Sequence, residues 1–268
     1  MNANAGGPNG GVVVGERGRY CGHMTAFDID PRLDVDALRE RFLREARIQI
    51  DGFLDPVAAR CLRNELQESS SWRHVINGAN KVFEIPAGEF DALDLDFKAE
   101  LDRATRRSAI NEFQYRYDSI RVADNHGQRL ASATKLDHFA ALMSSPSALG
   151  LLGEITCGAP IRFADGQATR YRPGDFLTRH DDAVVGKDRV LAYVLNLVEE
   201  WRPEWGGLLT FVGEGDRVVE TFVPRFNSLS LFAVGQQHFV STVADYAPAP
   251  RISVTGWLRT NVPPAIGG

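Results

Sequence analysis

The sequence predicts an α+β chain that is mainly β, with supporting helices first and a sandwich or jelly roll after them. Three observations carry this prediction. Helical apolar spacing and helix-capping residues stop at about residue 155, whereas strand-like runs punctuated by Gly, Pro and Asp follow one another from Ile161 onward. Many short strands at such intervals are the mark of a two-sheet β architecture. With 268 residues, 44% of them hydrophobic and 24% charged, the chain can bury a full core. The expected division is a disordered segment over 1–24, helical support with flanking strands over 25–160, and a β core over 161–268 integrated with that support.

Each element has its own signal. Residues 1–24 are rich in Gly, Asn and charge and are expected to stay disordered. Asp34 to Phe42 opens with acidic residues and has helical apolar spacing, and Arg47 to Ile50 then alternates as an edge strand. Asp55-Pro56 supplies an N-cap and a proline at the first helical position, so Val57 to about Gln67 reads as a helix with Leu62 and Leu66 toward the sheet. Phe113 to Tyr117 alternates as a strand, and Ser144-Ser145-Pro146 divides two helices, Lys135 to Met143 and Pro146 to Ile155. The strands expected afterwards are Gln167 to Arg172, Phe176 to His180, Arg189 to Leu197, Leu208 to Val212, Val218 to Val223, Asn227 to Phe232, Gln237 to Val243 and Ile252 to Arg259.

Composition excludes some functions. A net charge of -5 with no Lys/Arg run leaves no electrostatic footprint for nucleic acid or an anionic membrane. No apolar stretch approaches the roughly 18 residues of a membrane span, and the N-terminus lacks the apolar core of a signal peptide, so a cytoplasmic location is expected. Cys21, Cys61 and Cys157 are an odd set without Cys-x-x-Cys spacing, and reduced thiols are the expectation.

The residues that carry chemistry are His180-Asp181-Asp182, then His238, then Arg251. Two imidazoles and one carboxylate can cap one face of Fe(II) and leave the opposite positions open for a chelating cosubstrate and O₂. His-x-Asp alone is a weak signal in a chain with six histidines, so its strand context matters. Asp182 is preferred to Asp181 because residues two apart on a strand share a face. His23, His74, His126 and His138 have no comparable frame and read as structural or surface residues.

Three segments, Tyr171-Arg172-Pro173-Gly174-Asp175-Phe176-Leu177-Thr178-Arg179-His180-Asp181-Asp182, Trp201-Arg202-Pro203-Glu204-Trp205-Gly206-Gly207-Leu208-Leu209-Thr210-Phe211 and His238-Phe239-Val240-Ser241-Thr242-Val243, occur in this order. Together they resemble the prolyl-4-hydroxylase-like branch of the 2-oxoglutarate/Fe(II) dioxygenases, over about residues 165 to 260. The resemblance implies a double-stranded β-helix, the jelly roll of that family. It also implies Fe(II), 2-oxoglutarate as cosubstrate and O₂, used to hydroxylate a C–H bond with release of succinate and CO₂.

Residue by residue, the resemblance makes His180, Asp182 and His238 the metal ligands. Arg251, 13 residues after His238, would hold the C5 carboxylate of 2-oxoglutarate; its alternative is a surface charge on an edge strand. Ser253 would add a hydroxyl to that carboxylate, and Tyr171 would contact the cosubstrate unless it is an ordinary core aromatic. Where some relatives carry a second cosubstrate tyrosine, Val194 is the match here, and the facing of Tyr193 beside it is open. Gly206-Gly207 marks either a turn or a close approach of the strand to the site. Trp257 walls the pocket or belongs to the core, and it fills the position of the second arginine of nucleic-acid demethylating relatives. Relatives that halogenate replace the carboxylate ligand, so Asp182 points to hydroxylation. The reaction so implied is hydroxylation of a prolyl residue in a protein or peptide. The alternatives are a small-molecule or free amino-acid hydroxylase and a non-catalytic sensor on the same barrel.

Overall fold

Capping side chains start the helices where the sequence places them. Asp34, Asp55, Thr134 and Ser145 each accept a hydrogen bond from a backbone N–H of the first turn that follows. The computed structural model describes residues 27–78, 81–158 and 160–262, so the disorder expected of 1–24 lies outside the described residues. The elements run in chain order as α1 (Val35–Glu45), β1 (Arg47–Asp51), α2 (Pro56–Glu68), β2 (Arg73–Gly78), β3 (Lys81–Pro86), α3 (Ala87–Asp91), α4 (Leu95–Ser108), β4 (Tyr115–Arg121), α5 (His126–Ala131), α6 (Lys135–Met143) and α7 (Pro146–Ile155). The β-rich half follows as β5 (Phe163–Ala164), β6 (Gln167–Tyr171), β7 (Phe176–His180), β8 (Arg189–Asn196), β9 (Leu209–Val212), β10 (Val218–Phe222), β11 (Ser228–Ala233), β12 (His238–Val240) and β13 (Arg251–Arg259). Among the described residues no helix is long and apolar enough to cross a membrane.

The strands pair antiparallel in the order β1-β11-β8-β13-β6-β4-β7-β12-β9-β10. β4 is the hinge of this path: Asp118 to Arg121 pair with β6, and Tyr115 and Arg116 pair with β7. The sheet thereby folds over on itself, and its two end strands meet through Arg47 of β1 and Glu220 of β10, 2.7 Å apart. The result is a nearly closed jelly-roll barrel backed by helices.

Strand alternation sorts side chains between two layers. On β8, Leu191, Tyr193 and Leu195 enter the main core with Leu62, Leu66, Phe139, Leu152 and Ile155 of the helices. Ala192 and Val194 face the barrel interior instead. On β13 the same rule puts Ile252, Val254 and Leu258 on the helix side and Arg251, Ser253, Thr255 and Trp257 inside.

Several elements depart from the sequence expectation. α4 has no apolar stripe, since Thr105 is its one buried residue, and it is held by the Asp94 cap and the Asp102–Arg106 pair at i,i+4. The β2–β3 hairpin carries exposed Val82 and Phe83, so its outer strand shows no core-facing alternation. The strand expected over Phe113 to Tyr117 begins at Tyr115 and runs on to Arg121. Reduced thiols are not found at Cys61, which is buried and disulfide-bonded, whereas Cys157 is exposed and free.

One buried cation ties the helices to the barrel. The Arg129 side chain is fully buried and donates to the carbonyls of Ala123, Ala140 and Ala164, which links α5, α6 and β5. Arg129→Ala strands those carbonyls in a dry core and is expected to cost about 3 kcal/mol, the upper range for hydrogen bonds to a charged group. Urea unfolding at unchanged slope measures it; a loss below about 1 kcal/mol rejects this role.

Candidate metal and cosubstrate site

His180 ends β7 and His238 begins β12, and the two residues are direct partners in the antiparallel register. Their ring centroids lie 4.1 Å apart. Asp182 completes the group: its carboxylate oxygens are 3.3 Å from Nε2 of His180 and 3.4 Å from Nε2 of His238. One ligand atom from each of the three residues lies within 4.8 Å of the others.

The reason that selects Asp182 differs from strand alternation. β7 stops at His180, and Asp182 lies beyond it with φ of +63°, in the left-handed region that Asp tolerates better than most residues. The turn, not the pleat, swings its carboxylate back over the two imidazoles. Asp181 meanwhile accepts from the backbone N–H of Ala183 and so shapes that turn.

Both imidazoles have a defined tautomer. Nδ1 of His180 lies 3.0 Å from the Thr178 carbonyl and Nδ1 of His238 lies 2.8 Å from the Gln236 carbonyl. A carbonyl can only accept, so each Nδ1 carries the proton and each Nε2 offers its lone pair toward Asp182. Burial, then the charge of His180, pushes His238 down to about 4, which leaves it neutral near pH 7. Burial alone would raise the Asp182 carboxyl, but the two imidazole rings beside it bring it below the usual carboxylate range.

The same cavity, about 450 Å³ in volume, holds Arg251, Tyr171 and Ser253. Arg251 begins a central strand between β6 and β8, which corrects the edge-strand alternative. It is 2% exposed, donates from Nη2 to Oδ1 of Asn196 at 3.1 Å, and leaves its buried Nε without a partner. It makes no ion pair among the described residues. Burial lowers its pKa, yet a guanidinium stays protonated near neutrality, so a desolvated positive charge is left uncompensated. Tyr171 is buried with its ring 5.4 Å below that guanidinium, and burial pushes its phenol up so that the hydroxyl keeps its proton. Ser253 is fully buried, and its hydroxyl already pairs with Thr169 at 2.9 Å.

Val194 lines the cavity, while Tyr193 faces the helices and donates to the Asp165 carbonyl. Trp257 is on the cavity wall, with the Arg189 guanidinium stacked 3.5 Å over its ring. A Cβ on Gly206 would come within 1.9 Å of the Thr242 carbonyl, and one on Gly207 within 3.3 Å of Cδ of Arg251, so the pair both turns and permits close approach. His74 is buried against Asp118 at 2.8 Å and is structural; His23 lies outside the described residues.

Sequence reasoning passes over one wall of the cavity. Phe113, Tyr115, Tyr117 and Tyr171 form a ladder of rings spaced 5.3 to 5.5 Å, and Phe113 is also 5.4 Å from the His180 ring. The i, i+2 spacing of Phe113, Tyr115 and Tyr117 is the signal that could have found it. Across the mouth, Val184 lines the cavity, and Val184 and Val185 are exposed. The opening therefore has an aromatic side and an aliphatic side.

Residues 166–259 match the model of the 2OG-Fe(II) oxygenase superfamily. Among curated proteins, the chain is similar to prolyl 3-hydroxylase OGFOD1 of Xenopus laevis, 38% identical over 102 residues that make up 35% of this chain and 19% of that protein. It is also similar to its Mus musculus counterpart, 31% identical over 101 residues, 35% of this chain and 18% of that protein. The match thus spans about a fifth of those relatives' length. Among solved structures, a Pseudomonas putida prolyl-4-hydroxylase superposes with a TM-score of 0.54 at 19% identity, covering 85% of this chain and 99% of that one. A Trichoplax adhaerens prolyl hydroxylase, solved with a peptide fragment of hypoxia inducible factor, gives 0.55 at 15% identity over 84% of this chain and 89% of that one. These structural likenesses speak for the shared fold.

Proposed function

We propose that the chain, whose residues 166–259 match the model of the 2OG-Fe(II) oxygenase superfamily, works as a member of that superfamily with Fe(II), 2-oxoglutarate and O₂, and that it hydroxylates a prolyl residue in a protein or peptide at the His180, Asp182 and His238 centre. One observation carries the reading: a converging two-imidazole, one-carboxylate donor set shares a cavity with a buried guanidinium that has no anionic partner among the described residues. When bound, Fe(II) with 2-oxoglutarate and O₂ supplies oxidation of a C–H bond coupled to decarboxylation of the cosubstrate.

The chain's own residues do the rest. His180 and His238 present Nε2 because backbone carbonyls hold their Nδ1 protons, and Asp182 adds the anionic third donor. Arg251 takes the far carboxylate of 2-oxoglutarate, with the Tyr171 hydroxyl as a further donor and the Ser253 hydroxyl within the same pocket. Trp257, Val194 and Ala192 wall the cavity and keep water from the reacting groups.

The prolyl peptide is supported by the mouth, where the ring ladder faces Val184 and Val185, and by the prolyl 3-hydroxylases similar to the matched segment. Aromatic faces suit a proline ring, and an open rim leaves room for flanking residues. The expected result is that proline-containing peptides stimulate succinate formation and gain one oxygen on proline by mass spectrometry. Inert peptides beside tightly coupled turnover of a free metabolite would replace this substrate with a small molecule.

A further inference from the structure

Arg251 takes its orientation from one neutral side chain. Asn196 is buried at the end of β8, opposite Ser253 on one side and Ser228 on the other. Its amide sits in a chain of hydrogen bonds with a single polarity. The Ser228 hydroxyl donates to the Arg225 carbonyl at 2.8 Å, so its lone pairs face Nδ2 of Asn196 at 3.4 Å, and the Ser228 carbonyl accepts from the same nitrogen. That leaves Oδ1 for Nη2 of Arg251 at 3.1 Å.

We infer that Asn196 is the positioning residue for the cosubstrate anchor: it fixes the Arg251 fork through one N–H while leaving its charge uncompensated for an incoming carboxylate. Asp would reproduce the shape and the acceptor, but its charge would neutralise Arg251 from within the protein and repel a second carboxylate in the same pocket. A neutral amide orients the guanidinium without competing for it. The strand context agrees, because β8 carries only small or apolar residues at its cavity positions apart from Arg189 at its start.

This inference rests on the cosubstrate reading above, and one comparison separates the two. Asn196→Asp and Asn196→Ala are titrated with 2-oxoglutarate by calorimetry in the presence of Mn(II), beside Mn(II) alone and thermal unfolding. Both variants lose the Nδ2 bonds to Ser228, but Asp keeps the acceptor for Arg251 that Ala loses, so a purely structural role makes Asp the milder change. The inference predicts the reverse order: on the order of 100-fold weaker 2-oxoglutarate binding in Asn196→Asp, because like charges brought together cost several kcal/mol, against about tenfold in Asn196→Ala. Mn(II) affinity should be unchanged in both, and Asn196→Asp should be no less heat-stable than Asn196→Ala. Wild-type-like affinity in Asn196→Asp, or a larger loss in Asn196→Ala, overturns the inference while the cosubstrate reading stands. Failure of the wild type to bind 2-oxoglutarate overturns both.

Discussion

Arg251→Ala is expected to weaken 2-oxoglutarate binding by about 2 to 5 kcal/mol, roughly 30-fold to several thousand-fold, with metal affinity intact. The range follows from the burial of the guanidinium: with so little solvent to screen it, it can contribute fully to a carboxylate that enters the cavity. Removing it leaves the carboxylate desolvated against Tyr171, whose hydroxyl is neutral and supplies only one hydrogen bond. Arg251→Lys should recover only part of the loss, because an ammonium cannot match the planar fork and would not reach Asn196 with the same geometry. Titration of 2-oxoglutarate and of Mn(II), measured separately, decides the matter. An unchanged cosubstrate constant in Arg251→Ala would return this residue to a structural role.

His180→Ala and His238→Ala should each abolish metal-dependent turnover. Even the hydrogen-bond partners of metal ligands are commonly worth roughly 10- to 100-fold in metal affinity, so loss of a donor itself should exceed that. Folding should survive, because apart from their approach to Asp182 the two imidazoles bond, among the described residues, to carbonyls two residues away. Circular dichroism and thermal unfolding close to wild type, with metal binding lost, is the expected pair of results. Full activity in either variant, or a metal still held with wild-type affinity, would remove the residue from the centre.

How much of this was legible in the sequence depended on where the information lay. The capped helices and the alternating strands were legible because a single side chain or a period of two encodes them: Asp55-Pro56 starts α2, and β13 alternates from Arg251 to Trp257. Strand alternation led to Asp182, but the residue sits past the strand end, and its orientation comes from a left-handed backbone that no hydrophobic pattern reports. α4 stayed hidden because its stability comes from a cap and charge pairs and it buries almost nothing. Asn196 was invisible for another reason. Its importance lies in register, opposite Ser253 and Ser228 at once, and register between strands distant in sequence is fixed by the assembled barrel. The central position of β13, which buries Arg251, is a topological fact of the same kind.

The measurement that tests the account most directly is product accounting under ¹⁸O₂. The wild-type protein is supplied with Fe(II), 2-oxoglutarate and a proline-containing peptide, and succinate and peptide mass are followed together. Succinate and oxygenated peptide are expected in equal amounts, with the new oxygen atom on proline carrying the heavy isotope and both products absent from His238→Ala. Consumption of 2-oxoglutarate that no prolyl peptide stimulates, or turnover that survives in His238→Ala, would contradict it.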